Sequence, residues 1–561
     1  MDCEEAVYSN DYYDFISERF SGTRPEIIEN CIQKITNVYE IVYVEREGLL
    51  PLSIANYSYA SIPKCFTLME RSALEESGIL RIQNYPTLSL KGQGILIGFI
   101  DTGIDYRNPV FHNADGSSRI AAIWDQTIRS GTPPEGFLYG SEYTVQMIDE
   151  ALESQRPEEI VPSVDTNGHG TFLASVAAGS EMPEADFAGA APYAQIAMVK
   201  LKEAKEYLRE FYFIPEGATA YQENDIMAGV AYLNQLAARM NMPLVLCISV
   251  GSNAGSHGSG SNPLLGVLES VAILRPRGVV IAAGNEGNQR HHFAGELSEG
   301  QEYENVEINV GEGVDGFILE MWASAPQLFV VEIISPTGER VPKEFILSGG
   351  KEYTFLFENT TVSVDYRIAR ISGGDQLIFM RFTRPVRGIW NIRVYRQSVY
   401  AERYHMWLPM RELMTGEVYF LRSNPDTTIT APGNSMSTMT TTAYNVRDNS
   451  LFLDASRGYT VTGRVKPDFA APGVNVYGAG LKNQFITMSG TSVAAAVTSG
   501  AVALILEWAV ARGNDTYISN IDMKNMIIRG AARDPGKTYP NREWGYGRLD
   551  LYQTFENVRI K

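Results

Sequence analysis

Four uninterrupted apolar runs, ILIGFI (95–100), IAMVKL (196–201), LVLCIS (244–249) and VVIAA (279–283), limit this fold more than any other feature. A strand with one solvated face alternates apolar and polar residues, whereas a run apolar at every position needs cover on both faces. Helical periodicities separate the runs. The clearest is ENDIMAGVAYLNQLAARM, where Ile226, Val230, Leu233 and Ala237 share one face. Strands alternating with helices predict an α/β fold, a doubly wound parallel sheet with helices on both sides. Open sheets of this kind build their sites past the C-terminal ends of strands, which is where Asp101 and Asn285 fall.

The pattern breaks near residue 290. Val306, Ile308 and Val310 alternate with polar residues, as do Phe317, Leu319 and Met321, and GIWNIRVY sets Trp390, Ile392 and Val394 against Ile389, Asn391 and Arg393. Short strands punctuated by Gly and Pro predict a sandwich or jelly roll. The α/β pattern resumes at VKPDFAAPGVNVYG and closes with a small-residue helix after Ser492. Four parts follow: an N-terminal α+β region (1–78), a first α/β part (79–290), an inserted β-domain (291–428) and a second α/β part (429–561). Within the first part, DFIS and YEIVYVE read as strands, Glu26–Ile35 as a helical run and MERSALEESG as a closing helix.

A net charge of −19 argues against nucleic acid and anionic membrane surfaces as partners. No apolar stretch reaches the roughly 18 residues of a membrane span, so none is expected. The opening MDCEEAVYSNDYYDF lacks an apolar core, so no Sec-type signal is expected and synthesis is assigned to the cytoplasm. Cys3, Cys31, Cys65 and Cys247 have no metal-ligand spacing and suggest no disulfide framework, which fits a reducing compartment. The adjacent His291 and His292 read as an exposed loop pair, not a metal site.

Three short segments carry chemistry: IGFIDTGID around Asp101, DTNGHGTFLAS around His169 and MSGTSVAAA around Ser492. A serine hydroxyl is a poor nucleophile until a histidine takes its proton, and that histidine needs a carboxylate to fix its tautomer. Each residue has a plainer role open to it: Asp101 in a turn, His169 as a loop histidine between glycines, Ser492 as a helix cap and Asn285 in an Asn-Glu-Gly turn. Asp101-Thr102-Gly103 is also the motif of an aspartic protease, a reading that leaves His169 and Ser492 unexplained.

Taken together, DTGID (101–105), NGHGT (167–171), AAGNEG (282–287), KPDFAAPG (466–473) and GTSVA (490–494) resemble the subtilisin-like serine proteases, the subtilases. The chain order Asp, His, Ser is theirs. The resemblance implies Ser492 as nucleophile, His169 as general base and then acid, and Asp101 as its orienting carboxylate. It makes Asn285 the side-chain donor of the oxyanion hole. Ser249, Val250 and Gly251, with Ala282, Ala283 and Gly284, are the backbone stretches that flank the S1 pocket. The partners implied are a protein or peptide substrate and the chain's own prodomain, residues 1–78, with processing between Ile79 and Lys91. An activity falling as His169 protonates, near pH 6–7 for an ordinary imidazole, is expected.

The sequence departs from the family at several places. Ala496 and Val497 stand where Pro and His are common. The acid that anchors the strong calcium site falls at Val110, so no cofactor is assigned and calcium stays open without its usual ligand. A charged loop, EAKEYLREFYF, replaces a shorter glycine-containing one after Lys202. WDQT and the β-insert resemble the clostridial spore-germination proteases most, which implies limited proteolysis such as zymogen activation, in a spore-associated protein. That group also contains inactive members, so a silent pseudoprotease acting as a binding module is the alternative.

Overall fold

The computed structural model describes residues 3–18, 31–68, 77–258, 262–344, 349–369 and 373–559. Its centre is a nine-stranded sheet. The four apolar runs become the strands Leu96–Asp101, Gln195–Lys200, Leu244–Ile248 and Arg277–Ala282, all parallel and buried on both faces as predicted. Met439–Asn445 extends the parallel run beyond Arg277–Ala282, and Ile120–Asp125 extends it beyond Gln195–Lys200. The sheet grows outward on both sides of Leu96–Asp101, which makes the end of that strand the switch point. Helix Glu223–Arg239 buries Ile226, Val230, Leu233 and Ala237 on one side. On the other side lie His169–Ala178 and Thr491–Leu506, which pack against each other. That second helix, with its continuation to Ala511, is long and apolar enough to span a membrane, but 89% of its most apolar 18 residues is buried within the protein.

Between His292 and Phe420 the chain builds two antiparallel sheets, one of six strands and one of five, around their own hydrophobic core. Trp390, Ile392 and Val394 point into that core as their alternation predicts. Strand Gly316–Ala323 differs from its reading: Phe317, Leu319 and Met321 face the sandwich core, yet Ile318, Glu320 and Trp322 are buried too. Their face packs on the N-terminal region and on helix Glu206–Tyr212. That helix is itself a correction, because EAKEYLREFYF reads as a charged loop. Tyr207, Leu208 and Phe211 all turn inward, which gives it a packing face that the charge count conceals.

The N-terminal region contributes a three-stranded sheet of Tyr12–Glu18, Tyr39–Glu45 and Ile32–Lys34. Ile32–Lys34 is therefore a strand, not the end of a helix, because it pairs with Tyr39–Glu45; residues 26–30 of that expected helix lie outside the described residues. Most of MERSALEESG (69–76) lies outside them as well. Ala6, Val7, Ile16 and Ile41 pack into the same core as helices Glu223–Arg239 and Pro263–Ala272. Asp14, fully buried, is held by Lys205 at 2.6 Å and by Gln222 Nε2 at 2.7 Å. The cysteine reading is corrected here: Cys3 is disulfide-bonded to Cys31, since the first helix and the residue before Ile32 approach to a Cα separation of 5.2 Å. Cys65 and Cys247 are free and buried.

Candidate active site

Asp101 ends its strand and is buried. Its Oδ1 accepts from Thr102 N at 2.8 Å and faces His169 Nδ1 at 2.8 Å; its Oδ2 accepts from the Ser249 hydroxyl. Burial alone raises the Asp101 carboxyl, but His169, Ser249 and Thr102 outweigh it and hold the group below its ordinary value. An ionised carboxylate on Nδ1 fixes the proton there and leaves Nε2 as the basic nitrogen. Both oxygens being committed this way, Asp101 is not arranged as half of an aspartic-protease pair.

His169 begins its helix, and the turn before it is built by Asp165, which sequence reasoning missed. Asp165 Oδ1 accepts from Asn167 N at 3.0 Å and Gly168 N at 2.8 Å, while Oδ2 accepts from Thr171 Oγ1 at 2.7 Å. The signal was present as an Asp starting an Asp-x-Asn-Gly turn. Gly168 has φ 90°, a left-handed conformation that a side chain resists. Gly170 allows close approach: a Cβ there would lie 2.3 Å from Gly103 O. Gly170 thus lets the histidine turn close on the Asp101 loop.

Ser492 is the second residue of helix Thr491–Leu506. Gly490 caps that helix without any side-chain bond, so the cap role suggested for Ser492 is excluded. The Ser492 side chain is fully buried, and its Oγ has no hydrogen-bond partner among the described residues. An unpaired buried hydroxyl costs about 1–3 kcal/mol, and such a cost persists where function requires it. Asn285 is fixed next to it: its Oδ1 accepts from Thr491 Oγ1 at 3.1 Å and Thr491 N at 3.3 Å, while Gly284 N donates to Thr491 Oγ1 at 3.1 Å. Holding the amide oxygen makes Nδ2 the donor end, as an oxyanion hole requires.

Val250–Gly251 carries a guest from its own chain. Strand Cys65–Leu68 pairs antiparallel with it, Leu68 opposite Val250 and Thr67 opposite Gly251. On its other side Cys65 and Phe66 pair with Gln222 and Tyr221. The three form one small sheet with the N-terminal strand in the middle. Of the stretch from Ile79 to Lys91 expected to hold the processing site, Ile79–Gln83 is a docked helix, its Gln83 Nε2 donating to Gly189 O and Ala190 O at 3.0 and 2.9 Å. Among the described residues, the stretch that pairs with Val250–Gly251 runs to Leu68. Ala282–Ala283–Gly284 is instead engaged within the fold, Ala283 N donating to Thr441 O and its carbonyl accepting from Thr430 N, both at 3.0 Å.

His291 and His292 are buried, contrary to the exposed-pair reading. His291 Nδ1 meets Glu286 Oε2 at 2.7 Å, and the same oxygen accepts from Asn253 Nδ2 at 2.8 Å. This ties the residue after Asn285, the stretch after Gly251 and the start of the insert into one network. Val110 falls where the family's calcium-anchoring acid is expected. Val110 is buried hydrocarbon, and its carbonyl accepts from Arg119 Nη2 at 3.2 Å. The buried Arg119 also donates to Ala194 O at 2.6 Å, to Ser180 Oγ at 3.0 Å and to Ala178 O, so a guanidinium already fills the carbonyl cluster.

Comparison with known proteins agrees with this geometry. The Subtilase family model matches residues 92–310 and 416–547, leaving out most of the insert and the N-terminal region. The structure of the Clostridium perfringens CspB protease superposes with a TM-score of 0.77 at 31% identity, covering 86% of this chain and 98% of that one. Subtilisin-like protease SBT3.6 of Arabidopsis thaliana is 23% identical over 545 residues, covering 87% of this chain; the chain spans 63% of that relative's length. The human membrane-bound transcription factor site-1 protease is 33% identical over 135 residues, 23% of this chain and 12% of its own. With the family model matching more than half of its length, on the segments that hold Asp101, His169, Asn285 and Ser492, this chain belongs to the subtilase family.

Proposed function

We propose that the chain is a serine endopeptidase that cuts a polypeptide at limited sites. The Asp101–His169 contact, with Ser492 unpaired at the head of its helix, is the observation that carries this reading. Ser492 Oγ attacks the scissile carbonyl carbon while His169 Nε2 takes the hydroxyl proton, and Asp101 stabilises the imidazolium through Nδ1–H. The oxyanion is held by Asn285 Nδ2 and the Ser492 backbone N–H, beside the positive end of the helix dipole. His169 returns the proton to the leaving amine, and water then hydrolyses the acyl-enzyme by the same relay.

Residues 1–78 are read as a self-inhibiting prodomain; the pairing of Cys65–Leu68 as a middle strand between Tyr221–Gln222 and Val250–Gly251 supports this reading. The insert is read as a jelly-roll-like domain. Limited cleavage of a zymogen during spore germination, by a protein made in the cytoplasm and associated with the spore, is the physiological role we assign. The likeness to a clostridial protease supports it.

A fluorophosphonate probe tests the chemistry. Labelling of the wild-type chain, lost in Ser492→Ala, is the expected result. No labelling of wild type once Cys65–Leu68 is displaced would turn the reading to a pseudoprotease that binds without cutting.

A further inference from the structure

Cys65–Leu68 pairs with Val250–Gly251, directly after the Ser249 that bonds Asp101, so its neighbours describe what a polypeptide added to that strand would meet. The residue before it, Lys64, is 0% exposed. Lysine is almost never buried to that extent without a partner. Its backbone continues the strand pairing: Glu223 N donates to Lys64 O at 2.8 Å, and Lys64 N donates to Glu223 Oε2 at 3.2 Å. Its ammonium stands 3.8 Å from that same oxygen, donates to Tyr59 O at 2.7 Å and lies 4.4 Å from the centre of the Tyr59 ring. The Tyr59 hydroxyl in turn reaches the buried Glu320 at 2.8 Å. Two carboxylates from separate parts of the molecule, one at the head of helix Glu223–Arg239 and one in the insert, thus gather around a single lysine.

Of these groups only Lys64 and Tyr59 belong to the N-terminal region. When that region leaves, Glu320 retains Trp322 Nε1 at 2.8 Å and Gly255 N at 3.0 Å, whereas Glu223 keeps, among the described residues, only Leu264 N at 3.2 Å. Among the described residues Lys64 is the one cation paired with Glu223. Burial pushes the carboxyls of Glu223 and Glu320 up and the Lys64 ammonium down, so each depends on its opposite to stay charged. A buried ion pair seldom stabilises a protein more than apolar residues of the same volume would. A plug needing only to fill the cleft has no use for one, whereas a site that selects a charge does. The insert reaches this end of the cleft as well: Ile318, Glu320 and Trp407 line a cavity of about 30 Å³ with Cys65, Ser252 and Asn253.

We propose that Glu223, backed by Glu320, forms a cation subsite of the cleft. It receives a lysine or arginine that immediately precedes the four substrate residues replacing Cys65–Leu68. This rests on the endopeptidase reading and adds the class of substrate: extended polypeptides with a basic residue at that upstream position. The 3.8 Å gap beyond Lys64 leaves an arginine, with its longer forked head, at least as well suited.

The test uses the full chain and internally quenched peptides copying residues 59–78, with the native lysine, with Lys64→Arg or with Lys64→Met. The chain's own strand competes equally with all three, so their ratios report the subsite. Expected is at least a tenfold lower kcat/KM for the Met peptide, none for the Arg peptide, and a Lys-to-Met ratio that falls toward one in Glu223→Gln. Glu320→Gln, with a smaller fall, serves if Glu223→Gln melts early. Equal rates for the Lys and Met peptides in wild type overturn the subsite and leave the endopeptidase standing. If Ser492 labels but no peptide is cut, protection from the fluorophosphonate ranks the peptides instead, and equal protection overturns the subsite. Failure of both cutting and labelling overturns the endopeptidase itself.

Discussion

His169 and His292 are both buried, the latter against the half-buried His405, and the two sites differ in one partner. His169 faces a carboxylate, Asp101, at 2.8 Å. His292 Nε2 faces only His405 Nδ1, at 2.9 Å, with Asn424 O at 3.1 Å on its other nitrogen. Both of those rings stack on Trp407, as does His257, whose nitrogens meet Ile429 O and Asn253 O. Burial, helped by neighbouring histidines, pushes His292 well down and His405 to about 4. His257 is also lowered by burial, against the pull of its two carbonyls. In a dry interior a ring accepts a proton only where a carboxylate repays the desolvation. The adjacent pair His291 and His292 splits along the same line, one ring turned to Glu286 and the other to His405.

The largest effect comes from making His169 resemble the second group. Asp101→Asn keeps the shape and removes the charge, so the ring loses both its tautomer and its stabilised imidazolium. A fall in kcat of about 10⁴ is expected, with KM little changed. Steady-state hydrolysis of one peptide measures it. A loss under tenfold would mean that the carboxylate is not what separates the two sites.

A smaller effect separates them through stability. The stacked histidines are held neutral in the fold but charge freely once unfolded. Their folded values lie below the unfolded one of about 6.5, so the unfolded chain binds more protons between the two. Stability is therefore greatest above pH 6.5 and is lost as pH falls toward 4, by on the order of 3 kcal/mol for His405. Melting curves from pH 7 to 4.5 should show the decline, and His405→Gln should flatten it. A level melting temperature over that range would break the contrast.

The legible and illegible parts of the molecule divide by how far apart the partners lie in the chain. Leu96–Asp101 and its neighbours were readable because burial on both faces leaves polar residues only near the ends of each run. Asp101, His169, Asn285 and Ser492 were readable because each sits in a short motif. Gly316–Ala323 was only half readable, since the cover over Ile318, Glu320 and Trp322 comes from the N-terminal region and helix Glu206–Tyr212. Lys64 and Glu223, 159 positions apart, carry no local signal at all. Nor does the bond between Cys3 and Cys31, whose spacing matches no disulfide framework.

Arg119 extends the contrast to a buried cation that has no carboxylate and cannot shed its proton. Burial pushes it down only to about 10, so it stays charged at neutral pH, neutralised by carbonyl dipoles of Val110, Ala178 and Ala194. A divalent ion at that cluster would stand against a fixed positive charge and without the acid that Val110 replaces. Chelation should then leave the melting temperature where it was, within about 1 °C, because ligand-linked stability requires a bound ligand to remove. Arg119→Ala should instead cost about 3 kcal/mol, the scale expected when buried polar groups lose a charged partner. A melting temperature that drops by several degrees in EDTA, and recovers with calcium, would show that the guanidinium does not stand in for the ion.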